Sequence, residues 1–380
     1  MLLLSGFFIA IFIALILVTK KNKSDADFIL FLWLVVIAMH LLCIYFFKTY
    51  RGEKYPSFVS LSMPLTLVHG PFLFLYTSKK TSGKRITFYD FLHFTPLFLW
   101  FVFTFDFYSF NTKKQIEVFT HQGKEFDTQN IIRVIITYLS GVIYYILSLL
   151  VLIKYHKKIK EHFSDIEKIN FNWLLYFIIW NFLIWIFILC NQETIAYGLI
   201  SFFIFWIGFF GFRQTDVFFE KNNYLNHQMI VNAQEVTIEN FGNETDLEDK
   251  HKNRLLSEED SKIIEEKLLE YLTIHKPYLN PELTLQQLAE NIDVHSNVLS
   301  YVINTTLGKN FYDLINEYRI EEFINLYQNS YDKYTILALA LDSGFNSKSA
   351  FNRNFKKIKG ITPSEFIAKA NIQASFSSIS

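Results

Sequence analysis

Apolar residues fill long stretches of the first 213 positions, and short loops rich in lysine separate these stretches. A helix needs about 20 mainly apolar residues to cross a hydrocarbon layer of roughly 30 Å. Seven stretches approach that length, near Leu2–Val18, Phe28–Phe47, Ser57–Tyr76, Phe88–Phe107, Ile131–Ile153, Asn172–Cys190 and Ile195–Phe212. The pattern therefore predicts a bundle of seven membrane-spanning helices.

From residue 257 onward the pattern changes to the amphipathic spacing of a soluble helical domain. Ser257, followed by acidic residues and then by Leu268 and Leu272, predicts a capped helix, as does Thr284 with Gln287 three positions later. Residues 214–256 are polar and weakly patterned, which is typical of a tether. We therefore expect an all-α chain with a membrane domain at 1–213, a tether at 214–256 and a soluble helical domain at 257–380.

Two segments of this last domain have the pattern of a helix, a turn and a second helix. In the first segment, Asp293-Val294-His295 forms the predicted turn, and a helix of about Ser296–Leu307 follows. Its apolar positions alternate with a polar face at i, i+3, i+4 and i+7 spacing. This face consists of Asn297, Ser300, Tyr301 and Asn304, and helix-turn-helix geometry would place it in the major groove of DNA.

The second segment carries the more basic of the two predicted recognition helices. Gly344 lies where the chain reverses, and we expect a positive φ there because glycine alone adopts it without strain. A connecting helix, about Phe311–Gln328, separates the two units. The free face of the second recognition helix is predicted to present Lys348, Ser349, Asn352 and Arg353, with Lys356 and Lys357 on the next turn.

Composition supports the division into a membrane half and a soluble half. The chain is 51% hydrophobic and 19% charged, which is too apolar for an ordinary soluble protein of 380 residues. With the N-terminus outside, the inner loops carry 12 Lys and Arg and the outer loops 6. We therefore expect a multi-pass protein of a bacterial inner membrane, with the C-terminal domain in the cytoplasm.

The soluble domain has a negative net charge as a whole but a positive charge in its second predicted recognition helix. Residues Ser257–Ala370 contain 12 Lys and Arg against 16 Asp and Glu, an acidic balance that disfavours contact with phosphates. No acidic residue occurs between Asp342 and Glu365, however, and five basic residues cluster there. This local concentration of positive charge favours DNA binding through the second unit.

The motif from Gly344 to Ser364 reads GF-x-S-x-S-x-F-x-R-x-F-K-K-x-x-G-x-T-P-S. Over about Pro277–Ile367 the chain resembles the C-terminal DNA-binding domain of AraC/XylS-family transcription regulators. The resemblance implies double-stranded DNA as the partner. It implies base contacts from Asn297, Ser300 and Tyr301 in the first unit and from Lys348, Ser349, Asn352 and Arg353 in the second.

The membrane half offers few chemical clues. Ionisable residues within spans are costly and are therefore functional candidates. We consider His40, His69, Asp106 and Arg133 as candidate ligand-binding residues. Snorkelling of residues near span ends and a kink at His69-Gly70-Pro71 are the structural alternatives. The chain has no spacing typical of a metal site, a phosphate loop or a catalytic nucleophile, so neither a cofactor nor an enzymatic activity is expected.

These patterns lead to the hypothesis of a membrane-embedded, one-component transcription regulator. Its further partners would be the lipid bilayer, RNA polymerase, a second copy of the chain and a signal ligand of unknown identity. A transporter or lipid-handling protein with a DNA-binding sensor domain is the alternative, and substrate uptake into vesicles separates the two. A third hypothesis is proteolytic release of the soluble domain. The sequence names neither the target promoters nor the direction of regulation.

Overall fold

The computed structural model describes residues 1–20, 23–51, 53–121, 124–166, 171–190, 192–213, 257–330 and 334–369. All regular structure in these ranges is helical, apart from one isolated antiparallel bridge between Phe163 and Thr284. The chain divides into two compact units, Met1–Tyr155 with Asn170–Asn240 and His156–Ile169 with Phe241–Ser380. The predicted all-α fold is confirmed, and the predicted tether at 214–256 lies outside the described residues.

The first unit consists of apolar helices joined by short loops. Its α-helices are α1 (Leu2–Thr19), α2 (Asp25–Tyr50), α3 (Pro56–Ser60), α4 (Ser62–Leu65), α5 (His69–Ser82), α6 (Thr95–Phe103), α7 (Phe105–Ser109), α8 (Thr112–Thr120), α9 (Asp127–His162), α10 (Phe171–Leu189) and α11 (Glu193–Arg213). The last residues of α9, from His156, group with the second unit. Short 3-10 helices occupy Thr66–Val68, Phe88–Phe94 and Lys124–Phe126.

Four helical stretches of the described chain are long and apolar enough to cross a membrane. They are Leu2–Thr19, Asp25–Tyr50, Pro56–Ser82 and Lys124–His162. Three shorter apolar helices occupy Phe88–Phe103, Trp173–Leu189 and Thr194–Ile207. Each of the seven predicted runs thus contains apolar helix, four of them are candidate spans, and the count of seven spans stays a prediction.

Prolines divide the third and fourth predicted runs. Pro64 and the 3-10 turn at Thr66–Val68 precede α5, which begins at His69, so the regular α-helix is interrupted just before His69-Gly70-Pro71, and a kink at these three residues stays a prediction. Pro96 lies in the first turn of α6, directly after the 3-10 helix Phe88–Phe94. Proline lacks an amide hydrogen and clashes with the preceding turn, so it starts helices and interrupts them. The run predicted at Phe88–Phe107 is therefore a series of short helices.

Aromatic side chains form much of the core of the first unit. The Trp33 ring stacks on Phe72 with a centroid distance of 6.1 Å and meets the Phe177 ring edge-on at 5.7 Å. Phe177 in turn lies 5.2 Å from Phe203. Such ring pairs add to the stability that burial of apolar area provides. The core therefore joins residues of α2, α5, α10 and α11.

Large apolar side chains also cover the outer surface of the first unit. Phe8, Phe12 and Leu15 on α1 are 60–65% exposed, and Ile131, Leu139 and Ile153 on α9 are about as exposed. A soluble monomer rarely presents so much contiguous apolar surface. This outer surface is of the kind that lipid covers.

The second unit contains two small helical cores. Its helices are α12 (Glu258–His275), a 3-10 turn (Pro277–Leu279), α13 (Leu285–Asn291), α14 (Ser296–Thr305), α15 (Phe311–Ser330), α16 (Ile336–Asp342), α17 (Lys348–Lys359) and α18 (363–369). Phe311 and Ile315, early in α15, belong to one core, and Phe323 and Tyr327, late in α15, belong to the other. The connecting helix therefore supports both helix-turn-helix units.

Side-chain caps start the helices where the sequence predicts them. Ser257 accepts a hydrogen bond from the Asp260 amide, and Thr284 forms a capping box with Gln287. Before α18, the Thr362 amide donates to Glu365 Oε2 at 2.8 Å and the Glu365 amide donates to Thr362 Oγ1 at 3.3 Å. These contacts satisfy amides that the first helical turn leaves without partners.

Candidate DNA interface

The first helix-turn-helix unit consists of α13, a tight turn and α14. Asp293 adopts the left-handed conformation in this turn, with φ of 54°. Leu288 of α13 and Leu299 and Ile303 of α14 are fully buried against each other and against α12 and α15. This packing leaves one face of α14 exposed.

The polar face predicted on α14 lies on this exposed side. Asn297, Tyr301 and Asn304 are exposed, and Ser300 is half-buried. The Asn304 amide donates to the Ser300 carbonyl oxygen at 2.8 Å, so its side chain folds back along the helix. The face is uncharged and rich in groups that can both donate and accept hydrogen bonds. Contact between these residues and bases stays a prediction.

Gly344 lies in the turn of the second helix-turn-helix unit and determines its backbone conformation. Its φ is 96°, and its amide donates to the Leu341 carbonyl oxygen at 2.9 Å. A Cβ atom at this position would overlap the backbone carbonyl oxygen of Tyr278. The predicted positive φ is confirmed, and the close approach of another backbone segment is a second reason for glycine here.

Helix α17, the recognition helix of the second helix-turn-helix unit, has one apolar face and one basic face. Phe351 and Phe355 are buried in the core. The residues predicted to contact DNA all lie on the exposed side, namely Lys348, Ser349, Asn352, Arg353, Lys356 and Lys357. Gly360 ends the helix with φ of 75°, as the sequence predicts. The structure therefore brings these six side chains onto one helix surface.

Acidic residues of α15 hold part of the basic face in place. Lys357 Nζ lies 2.6 Å from Asp313 Oδ1, and Lys359 Nζ lies 2.6 Å from Glu321 Oε1. These exposed ion pairs are weak in water and are screened by salt. DNA phosphates can therefore compete with the two carboxylates for the lysines at little cost.

Tyr312 is a support for the basic face that the sequence does not reveal. Its hydroxyl accepts hydrogen bonds from Asn354 Nδ2 at 2.8 Å and from Arg353 Nη2 at 3.2 Å. Tyr312 and Asn354 are both buried. The contact joins residues about 40 positions apart on two helices, so periodicity within either helix carries no signal of it.

Arg319 is a second residue whose role is visible only in the folded chain. Its side chain is 1% exposed. Nε donates to the Tyr278 carbonyl oxygen at 2.8 Å, and Nη2 donates to the Asn280 carbonyl oxygen at 2.8 Å. Burial lowers the pKa of Arg319 to about 10, which leaves the guanidinium charged at neutral pH. The guanidinium therefore holds the loop before the first helix-turn-helix unit close to the turn of the second helix-turn-helix unit.

The described geometry is that of a double helix-turn-helix domain, and a family comparison agrees. Residues 288–369 match a family described as a helix-turn-helix domain, of the AraC/XylS type. The C-terminal part of the chain is a DNA-binding domain of a transcription regulator. Comparisons with curated proteins and with solved structures gave no match. The family match supports the AraC/XylS resemblance and does not extend to the apolar helices.

The candidate ligand residues among the apolar helices fall into different surroundings. Trp33 Nε1 donates to His69 Nδ1 at 3.0 Å, and His69 Nε2 lies 2.9 Å from His40 Nδ1. The proton of His69 therefore resides on Nε2, which donates to His40. Asp106 is exposed, and the Arg133 guanidinium lies 5.8 Å from the centre of the Trp100 ring. The structure pairs His40 with His69, and a ligand role for any of the four stays a prediction.

Proposed function

We propose that this chain is a membrane-embedded transcription regulator of the AraC/XylS type, which binds promoter DNA in the major groove in response to an external or membrane signal. The observation that carries the proposal is a double helix-turn-helix domain in one chain with a bundle of apolar helices. The DNA partner follows from the domain, and the membrane location follows from the helices.

The dimensions of the soluble domain support simultaneous reading of two stretches of groove. Helix α15 has 20 residues and is therefore about 30 Å long. Successive major-groove turns on one side of DNA are about 34 Å apart. Two recognition helices held by such a connector suit two adjacent grooves. In this proposal α14 selects sequence through uncharged groups, and α17 supplies most of the attraction to phosphates.

The membrane half supports a location in a bacterial inner membrane. Seven apolar helices with the N-terminus outside would place the DNA-binding domain in the cytoplasm, in agreement with the excess of Lys and Arg in the inner loops. RNA polymerase and a second copy of the chain are the proposed protein partners, because promoter regulators act through polymerase and often bind paired half-sites.

A test of this function uses the full chain expressed in a bacterial host. DNA cross-linked in living cells is recovered with the protein from the membrane fraction and sequenced. We expect enrichment of a small set of promoter sites, loss of that enrichment in the double variant Asn352→Ala/Arg353→Ala, and unchanged enrichment in Lys262→Ala. Lys262 is an exposed cation on α12, outside the proposed interface. Absence of enriched sites from the wild-type membrane fraction would contradict the proposal.

A further inference from the structure

The compact unit of apolar helices, α1 to α11, contains a cavity of about 560 Å³ near one end of its helices. Pockets for small ligands generally occupy 300–1,000 Å³ and are mostly apolar. Aromatic side chains form much of the wall, namely Phe47, Trp100, Phe107, Phe119 and Phe126. These residues come from the ends of α2 and α6, from α7 and α8, and from the turn before α9. The N-outside orientation would place this end of the unit outside the cell.

Polar groups lie at the same cavity. Trp100 is 8% exposed, and its N–H faces the Tyr108 hydroxyl. That hydroxyl also accepts a hydrogen bond from Ser60 Oγ at 3.2 Å. Asn130 lines the cavity, and its Oδ1 is buried without a hydrogen-bond partner among the described residues. Arg133 is not a lining residue, and its guanidinium lies 5.8 Å from the centre of the Trp100 ring. Unpaired buried polar groups cost free energy, and a ligand that pairs with them recovers it.

The charged residues that line the cavity are basic. Lys48 and Arg51 are part of its lining, and no Asp or Glu is among the lining residues in the described part of the chain. Two acids of α8 and of the turn after it, Glu117 and Glu125, pair with Lys114 at 3.6 and 3.0 Å. Arg51 ends α2 with a left-handed backbone, φ 49°, and its amide bonds to the Phe47 carbonyl oxygen at 2.8 Å. This cap anchors the backbone of Arg51 beside the cavity.

We propose that this cavity is the signal site and that it binds a small amphipathic anion, an aromatic or aliphatic carboxylate. The apolar body of the ligand would pack on the aromatic wall, while Arg51 and Lys48 would bind the carboxylate. Asn130 would bind a donor group of the ligand. The inference rests on the proposed function, since it names the chemistry of the signal that the regulator answers.

The test measures binding to the full chain in phosphatidylcholine nanodiscs, without DNA. The ligands are 1-naphthoate and 1-naphthamide, which have the same ring body and differ in charge. We expect naphthoate to bind at least tenfold more tightly than naphthamide, as calorimetry would measure. Arg51→Gln and Lys48→Gln should each weaken naphthoate binding by about tenfold and leave naphthamide binding unchanged. Lys113→Gln removes an exposed cation of α8 that does not line the cavity, and it should change neither.

Three results would overturn this site. They are no binding of naphthoate, equal affinities for the acid and the amide, and equal effects of Arg51→Gln and Lys113→Gln. Met63→Trp gives an independent check, because a larger side chain at this lining position fills the cavity and should abolish binding of both compounds. The thermal unfolding temperature of each variant shows that it is folded. Since DNA is absent, failure of this site leaves the proposed DNA-binding function intact, and failure of promoter enrichment leaves these binding data intact.

Discussion

Arg319 of helix α15 donates two hydrogen bonds to Ser164, a residue 155 positions earlier in the chain. Nη2 lies 3.0 Å from Ser164 Oγ, and Nη1 lies 3.2 Å from the Ser164 carbonyl oxygen. Ser164 also donates from Oγ to the Leu283 carbonyl oxygen at 2.7 Å. The short segment after α9 therefore belongs to the compact unit that contains both helix-turn-helix segments. It supplies polar partners to a buried cation of the DNA-binding domain.

Replacement of Arg319 should strongly destabilise the compact unit that contains both helix-turn-helix segments. Arg319→Met fills most of the space but removes four hydrogen bonds, and it leaves the Tyr278 carbonyl oxygen without the donor Nε. The carbonyl oxygens of Ser164 and Asn280 keep hydrogen bonds from Asn316 Nδ2 and from the Leu283 amide. We expect the free energy of unfolding to fall by about 3 kcal/mol or more. Pulse proteolysis of the full chain in urea, followed with an antibody against the C-terminus, measures this loss. Ser164→Ala, which removes one hydroxyl, should cost about 1 kcal/mol, and the exposed charge variant Lys262→Met should cost almost nothing. Equal stability of Arg319→Met and Lys262→Met would refute the role assigned to the buried guanidinium.

Two glycines with positive φ should respond differently to the same substitution. Gly344→Ala places a methyl group against the Tyr278 carbonyl oxygen as well as straining the backbone, so we expect a loss of about 3 kcal/mol or more. Gly308 has φ of 64°, with open space where a Cβ would lie, and its replacement by alanine should cost only about 1 kcal/mol. The same proteolysis assay compares the two. Similar losses would mean that the close approach to Tyr278 relaxes without cost.

The basic face of α17 should set the salt dependence of DNA binding. Arg353→Ala should weaken specific binding by about 1–3 kcal/mol if this side chain reads a base. Lys356→Ala and Lys357→Ala should weaken binding to all sequences alike and flatten the slope of log affinity against log salt. Binding isotherms at several salt concentrations separate the two effects. If all three variants leave affinity and slope unchanged, α17 does not face DNA.

The first helix-turn-helix unit should contribute sequence selection through uncharged side chains. Asn297 is exposed on α14 and has the amide geometry that pairs with the edge of adenine. Asn297→Ala should therefore relax preference at one or two base pairs and leave the salt slope nearly intact. Selection from a pool of randomised sites measures this preference. Asn329→Ala, on the exposed part of α15, serves as the control. Unaltered preference in Asn297→Ala would assign α14 a supporting role alone.

Topology is a further prediction, and it depends on the membrane half. A reporter enzyme fused after Arg213 should be active only in its cytoplasmic form, and one inserted between Tyr108 and Asn130 only in its external form. The physical reason is the 12 to 6 distribution of Lys and Arg between the two sets of loops. Paired fusions to alkaline phosphatase and a cytoplasmic reporter measure both sites. The opposite pattern would invert the proposed orientation and place the cavity at Trp100 inside the cell.

Local sequence determines much of this protein. The caps at Ser257, Thr284 and Thr362 and the turn at Gly344 depend on side-chain chemistry within a few residues of each site, and the structure has them where the sequence predicts them. The exposed faces of α14 and α17 follow from helical periodicity in the same way. Apolar run length predicts the helices of residues 1–213, and the breaks within the third and fourth runs lie beside Pro64 and Pro96.

Tertiary structure alone decides contacts between residues far apart in the chain. Nothing near Arg319 in the sequence indicates that it is buried. Nothing near Ser164 indicates that it contacts a helix-turn-helix domain whose first helix begins more than 90 positions later. The cavity at Trp100 likewise needs side chains from several helices and loops at one point in space. Periodicity shows which face of a helix is buried, whereas the partner of that face depends on packing among all the helices.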